Sequence, residues 1–211
     1  MHFRNASIAV AAAALLHAAP AAATSVNLSL AGQAGSGSPA YPKVSITEFS
    51  GGTLAIGGVD GSANTFAGGF EVTGDPAGDF VAWCIELSEK FLTSGSHTPG
   101  ATALSTAQLD RVQKLFDTAY TPALNTVGGV STKESAGFQL AMWEVIYDDD
   151  GTLADDGTRD NGDVGFAADG PADVLDFAND FLTAYNSMTG PVPQEWILTT
   201  YQADGRQDVI G

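Results

Sequence analysis

The chain has 211 residues, with 25 Asp+Glu against 8 Lys+Arg and a formal charge of −17 at pH 7. Displacing counterions from a phosphate backbone or an anionic bilayer needs a basic face, so this balance excludes nucleic acid and anionic membrane surfaces as partners. The length suffices for one sizeable core, and no composition shift marks a linker that would divide it.

The first segment carries His2 and Arg4, an apolar stretch from Ile8 to Ala19, and small residues at Ala21 and Ala23 ahead of Thr24. That is the pattern of a secretory signal with an A-x-A cleavage site. It predicts removal of residues 1–23 and a single domain over 24–211. The apolar run is too short for a bilayer and no later segment reaches that length, so no membrane span is expected. The predicted location is secreted or at the cell surface. A single cysteine, Cys84, allows no internal disulfide in an exported chain. It is a buried inert thiol, an intermolecular bridge, or a residue with chemistry of its own.

From Ser25 to Val72 the pattern is β. Val26, Leu28 and Leu30 alternate with polar residues, and Val44, Ile46, Leu54, Ile56, Phe66, Phe70 and Val72 follow between glycine pairs. A strand over 80–87 is apolar on both faces, the mark of a central strand. Helical periodicity then takes over. Ser105 or Thr106 caps a helix to about Tyr120, and Ser131 stands three before Glu134, opening a helix to about Tyr147. A third helix starts at Pro171 behind Asp169, and residues 196–201 return to strand. This order predicts an α+β domain: an antiparallel β-sandwich or barrel with a helical insert of about three helices. The stretch from Gly32 to Ser38 reads as a loop.

Positions 138–146 of the second helix are apolar nearly all round, with polar side chains only at Gln139 and Glu144. Such a helix is buried. Gln139 shares a face with Met142, Trp143 and Ile146, so its amide is predicted inside the core, at a cost on the order of 1 to 3 kcal/mol if left unpaired. Strand alternation places Phe80, Ala82, Cys84 and Glu86 on one face, with Val81, Trp83, Ile85 and Leu87 on the other. A helix packed on the first face would bring the Cys84 sulfur to the Gln139 carboxamide. Attack of sulfur on the amide carbon, with loss of ammonia, would give a thioester and remove both buried polar groups. Alone, Cys84 reads as a small core residue and Gln139 as a core amide bonded to backbone. Trp83 and Trp143 read as core residues in either case.

Trp83-Cys84-Ile85-Glu86 and Phe138-Gln139-Leu140-Ala141-Met142-Trp143 resemble the two halves of the thioester-domain signature of bacterial surface adhesins. They are more similar still to the form found in exported PEP-CTERM-type proteins of Gram-negative bacteria. The resemblance spans roughly 80–148 and implies a thioester between Cys84, as thiol, and Gln139, as acyl donor. Phe138, where the adhesins often carry Thr, and Met142 and Trp143 would support the site. The implied function is an exported adhesion domain that attaches once and covalently to a nucleophile, typically an amine, on an extracellular protein or polysaccharide. Glu86, on the Cys84 face, is a candidate proton shuttle. No cofactor is implied.

Two other chemistries have weaker support in the residues. The acidic loop from Asp148 through Asp150, Asp155 and Asp160 to Asp163 invites calcium, yet its spacing fits no EF-hand and a solvated charge run is the plainer reading. The corresponding alternative function is a non-covalent extracellular binding or matrix module, calcium-stabilised or not, with Cys84 simply packed. His97 is the only histidine beyond the signal and lies in a turn with no accompanying nucleophile motif, so a turnover enzyme is not predicted.

Overall fold

The computed structural model describes residues 25–36, 42–49, 63–75, 78–89, 94–148, 151–153, 166–190 and 194–211. The signal segment, Leu54 and Ile56 with their flanking glycine pairs, and most of the acidic loop lie outside the described residues. In chain order the elements are β1 (Val26–Gln33), β2 (Lys43–Phe49), β3 (Ala63–Phe66), β4 (Phe70–Asp75), β5 (Gly78–Cys84), β6 (Ser94–Pro99), α1 (Thr106–Ala119), α2 (Thr132–Tyr147), β7 (Phe166–Asp169), α3 (Ala172–Ser187), β8 (Thr200–Gln202) and β9 (Val209–Ile210).

Six strands close an antiparallel barrel in the order β1-β4-β5-β9-β8-β6, and β3-β2-β7 form a separate sheet. With three helices, this is the α+β barrel that the order of patterns predicts. The alternation in β1 does what period-2 patterning requires: Val26 and Leu28 are buried while Asn27 and Ser29 face solvent. In β5, Val81, Ala82, Trp83 and Cys84 are all buried, because one face looks into the barrel and the other onto the helices.

Local chemistry sets the helix starts. Ser105 and Gln108 form a reciprocal capping box on α1, and the Ser131 hydroxyl accepts from the Glu134 amide on α2. Lys133, in the first turn of α2, pairs with Asp173 in the first turn of α3. Phe138 is the hub of the helical layer. Its ring meets Trp83 of β5 at 4.8 Å, Phe116 of α1 at 5.3 Å and Phe181 of α3 at 5.4 Å. Each such pair contributes roughly 0.5–1.5 kcal/mol beyond simple burial. Phe138 thus ties all three helices to the sheet.

Three sequence expectations are corrected. The strand expected over 80–87 ends at Cys84, so alternation does not place Glu86. The strand expected over 196–201 begins at Thr200. The helices pack on the Trp83 face rather than the Phe80 face, which instead stacks Phe80 on Tyr201 at 5.1 Å. Bulky Trp83 fills the gap between sheet and helices that Ala82 cannot. No helix among the described residues is long and apolar enough to cross a membrane.

Candidate functional site

Strand β5 runs out of partners on one side before it ends. Its ladder with β4 stops at the pair Phe70↔Ala82, while on the other side Trp83 and Cys84 still pair with Ile210 and Val209 of β9. The N–H and C=O of Cys84 therefore point toward an unfilled place beside β5, and Gln139 fills it. Its Oε1 accepts from the Cys84 N–H at 3.1 Å, and its Nε2 donates to the Cys84 C=O at 2.8 Å. The carboxamide acts as a one-residue strand, with both amide heteroatoms bonded to the main chain of the cysteine itself. Gln139 is 1% and Cys84 3% exposed, so this contact is dry.

Gln139 belongs to a stripe. At four-residue intervals along α2, Ser135 accepts from the Gly69 amide at 2.9 Å, Gln139 holds Cys84, and Trp143 Nε1 donates to the Cys84 C=O at 2.9 Å. Next, the Tyr147 hydroxyl donates to the Ile85 C=O and accepts from the Leu87 N–H, each at 3.1 Å. Side chains four apart on a helix stack on one face. The stripe thus clamps α2 onto the main chain where β5 ends, and orients Gln139 from both sides. Ser135 and Tyr147 escaped the sequence reading; the polar-tipped residue at every fourth place was the available signal.

Burial pushes the Cys84 thiol well above its ordinary range, so the sulfur is protonated at neutral pH. Burial likewise keeps the Tyr147 phenol neutral. Thioester formation here would join the sulfur to the Gln139 carboxyl carbon and release ammonia, with the thiol proton leaving on nitrogen. The Cys84 N–H already points at Oε1, the atom on which negative charge would build in a tetrahedral intermediate. A donor so placed is worth roughly a hundred- to a thousandfold in rate.

The remaining named residues fall into two groups. Trp83, Phe138, Met142 and Trp143 are all buried around the pair. Glu86 lies just past the strand, half-buried; its carboxylate accepts from Ser88 Oγ at 2.5 Å, and its main-chain oxygen accepts from Gln207 Nε2. It faces a pocket of about 210 Å³ lined by Ile85, Glu86, Ser88, Gln108, Tyr147 and Asp208, among others. Asp208, which sequence reasoning missed, is 3% exposed, and its Oδ1 accepts from the Ala203 N–H at 3.0 Å. Burial, with the Glu86 and Glu89 carboxylates nearby, raises its carboxyl to about 6. Of the calcium candidates, Asp148 caps the end of α2, whereas Asp150, Asp155 and Asp160 lie outside the described residues. Among the described residues no cluster of three or more His, Cys, Asp or Glu side chains is arranged to hold a metal.

No protein-family model and no curated protein matches the chain. Among solved structures it is similar to the pilus-presented adhesin Cpa, at 15% identity and a TM-score of 0.41, over 82% of this chain and 48% of that one. It is also similar to the N-terminal domain of the Streptococcus pyogenes pilus tip adhesin Cpa, at 14% identity and a TM-score of 0.41, over 84% of this chain and 96% of that one. The chain spans about half the length of the first of these.

Proposed function

We propose that the protein is an exported surface adhesion domain in which Cys84 and Gln139 form an internal thioester, spent once on a nucleophile presented by an extracellular protein or polysaccharide. The observation that carries this reading is the two-point contact between the Gln139 carboxamide and the Cys84 main chain in a space closed to water. Water exclusion preserves an activated acyl group that would hydrolyse in the open. The two-point contact brings the carboxamide to the main chain of the residue that carries the sulfur, which supports the reading. Intact mass tests it. The folded protein should be lighter by one ammonia than its sequence and should gain one methylamine on incubation, while Cys84→Ala and Gln139→Ala show neither change. A folded wild-type chain at full sequence mass, inert to methylamine, overturns the reading.

The same hydrogen bonds favour one rival. A carboxamide that completes a sheet edge also serves a non-covalent extracellular binding module, with Cys84 simply packed. Full sequence mass is the outcome that selects this rival.

A further inference from the structure

We propose that attachment unseats Gln139: the substituent on the new amide nitrogen takes the place of the hydrogen that holds the carboxamide to Cys84, so the reacted side chain leaves the strand end and the thioester is remade far more slowly than it first formed. This rests on the thioester reading and adds to it what attachment does to the site.

The two bonds between Gln139 and Cys84 set the stereochemistry. In an extended strand the N–H and C=O of one residue point to the same side. A carboxamide meets both only with its oxygen and the nitrogen hydrogen on the oxygen's side, since its other hydrogen points the opposite way. At Gln139 that inner hydrogen goes to the Cys84 C=O, with 2.8 Å from nitrogen to oxygen, while Oε1 accepts from the Cys84 N–H at 3.1 Å. A primary amide carries both hydrogens. A secondary amide carries one, and its trans form puts the carbon substituent on the oxygen's side. A C–N single bond of about 1.45 Å along that 2.8 Å line would set the first carbon about 1.4 Å from the Cys84 oxygen, far inside the roughly 3.5 Å of van der Waals contact. The cis form avoids this clash but is disfavoured roughly 60-fold in population. Gln139 at 1% and Cys84 at 3% exposure leave the substituent no solvent to extend into while the side chain stays seated.

In the step itself the amine nitrogen attacks the Gln139 carbonyl carbon and the C–N bond forms. The C–S bond breaks with its electron pair passing to the Cys84 sulfur, and one nitrogen proton follows to that sulfur, which burial keeps as a thiol. Remaking the thioester requires the carboxamide to return to the contact that the substituent blocks. Ammonia is the exception among amines, because its product is Gln139 itself. The rest of the stripe is untouched by the substitution: Ser135 still holds Gly69, Trp143 the Cys84 C=O, and Tyr147 both Ile85 and Leu87. The displacement is therefore confined to one side chain, and it frees the Cys84 N–H while the Leu87 N–H stays bonded.

The test opens the thioester of the full chain with ammonia in one sample and methylamine in another, then removes the nucleophile. By intact mass the ammonia product should lose ammonia again, and the methylamine product should lose methylamine more slowly by roughly tenfold or more. Residue-resolved amide hydrogen exchange should find the Cys84 N–H less protected in the methylamine product by a similar factor, with the Leu87 N–H equally protected in both. Equal rates of re-formation, zero included, overturn the proposal, as does equal protection of Cys84. Lost protection at Leu87 overturns it too, because the change then reaches beyond one side chain. A wild type that never loses ammonia fails differently, since that removes the thioester itself and with it any attachment to unseat Gln139.

Discussion

Cys84 has one carbonyl oxygen and two donors upon it, Gln139 Nε2 at 2.8 Å and Trp143 Nε1 at 2.9 Å. In the amide form either suffices. In the proposed thioester ammonia has left, so Nε2 would be gone and the indole N–H alone would satisfy a carbonyl that has no water within reach. An orphaned buried carbonyl costs about 1–3 kcal/mol, roughly five- to 150-fold in an equilibrium. Trp143→Phe therefore penalises the thioester state specifically, because the amide state keeps its Gln139 bond. The ratio of folded molecules lacking ammonia to those retaining it should drop by that factor in the intact-mass spectrum, well beyond the change in the unreacted fold's melting. An unaltered fraction would assign Trp143 to packing alone. At this scale the sequence was informative where side chains sit in unusual company: an amide within an apolar helix announces itself. Asp208 has no such local signal. It is one acid among 25 Asp+Glu, and only the fold shows that it is buried beside Glu86.

Helix α2 is held from both sides, by its hydrogen-bonding stripe on the barrel and by α3 across Gly137. A Cβ at Gly137 would lie 2.5 Å from the Phe177 Cβ and 2.9 Å from the Ala178 main-chain nitrogen. Glycine inside a helix ordinarily costs about 1 kcal/mol relative to alanine. Here the clash involves the partner's backbone, which a rotamer change cannot relieve, and overpacking of this kind costs about 1–3 kcal/mol. The second effect wins, so Gly137→Ala should lower stability by about 1 kcal/mol or more in urea titration. A gain would mean that the two helices separate freely. The elements legible in advance were those whose signals are local. Ser105 and Ser131 announced α1 and α2, and a run apolar on both faces announced the central strand whose residues Val81 to Cys84 are all buried. Strands β6 and β9 were not legible, and β8 was legible only in its first residues. The β6 segment, Ser94–Pro99, has no hydrophobic alternation and is a strand only because β1 and β8 lend it partners. The edge of β5 was missed for a related reason: where a ladder stops depends on its neighbours, and α2, not β4, supplies the partner for Cys84.

At the scale of the whole molecule, the barrel's closure and the dryness of the site are one property. Residues 209–210 bridge β8 and β5, pairing Val209 with Tyr201 and Cys84, and Ile210 with Thr200 and Trp83. Gly211 extends the seam through reciprocal bonds with Thr199 at 2.9 and 3.1 Å. A two-residue strand therefore closes the barrel wall on the far side of Cys84 from Gln139. Ile210 is 2% exposed, and replacing it by Asp puts a carboxylate where ionisation is strongly disfavoured. The least costly relief is local opening of the seam rather than loss of the helical layer, whose aromatic hub at Phe138 is built on Trp83, Phe116, Tyr120 and Phe181. Ile210→Asp should then retain most helical circular dichroism while admitting water to the acyl carbon. The mass of the proposed thioester should convert to the hydrolysed mass in buffer without any amine, much faster than in wild type. A variant that keeps its thioester as long as wild type would show that α2 alone excludes water, and that the barrel seam takes no part in protecting the bond.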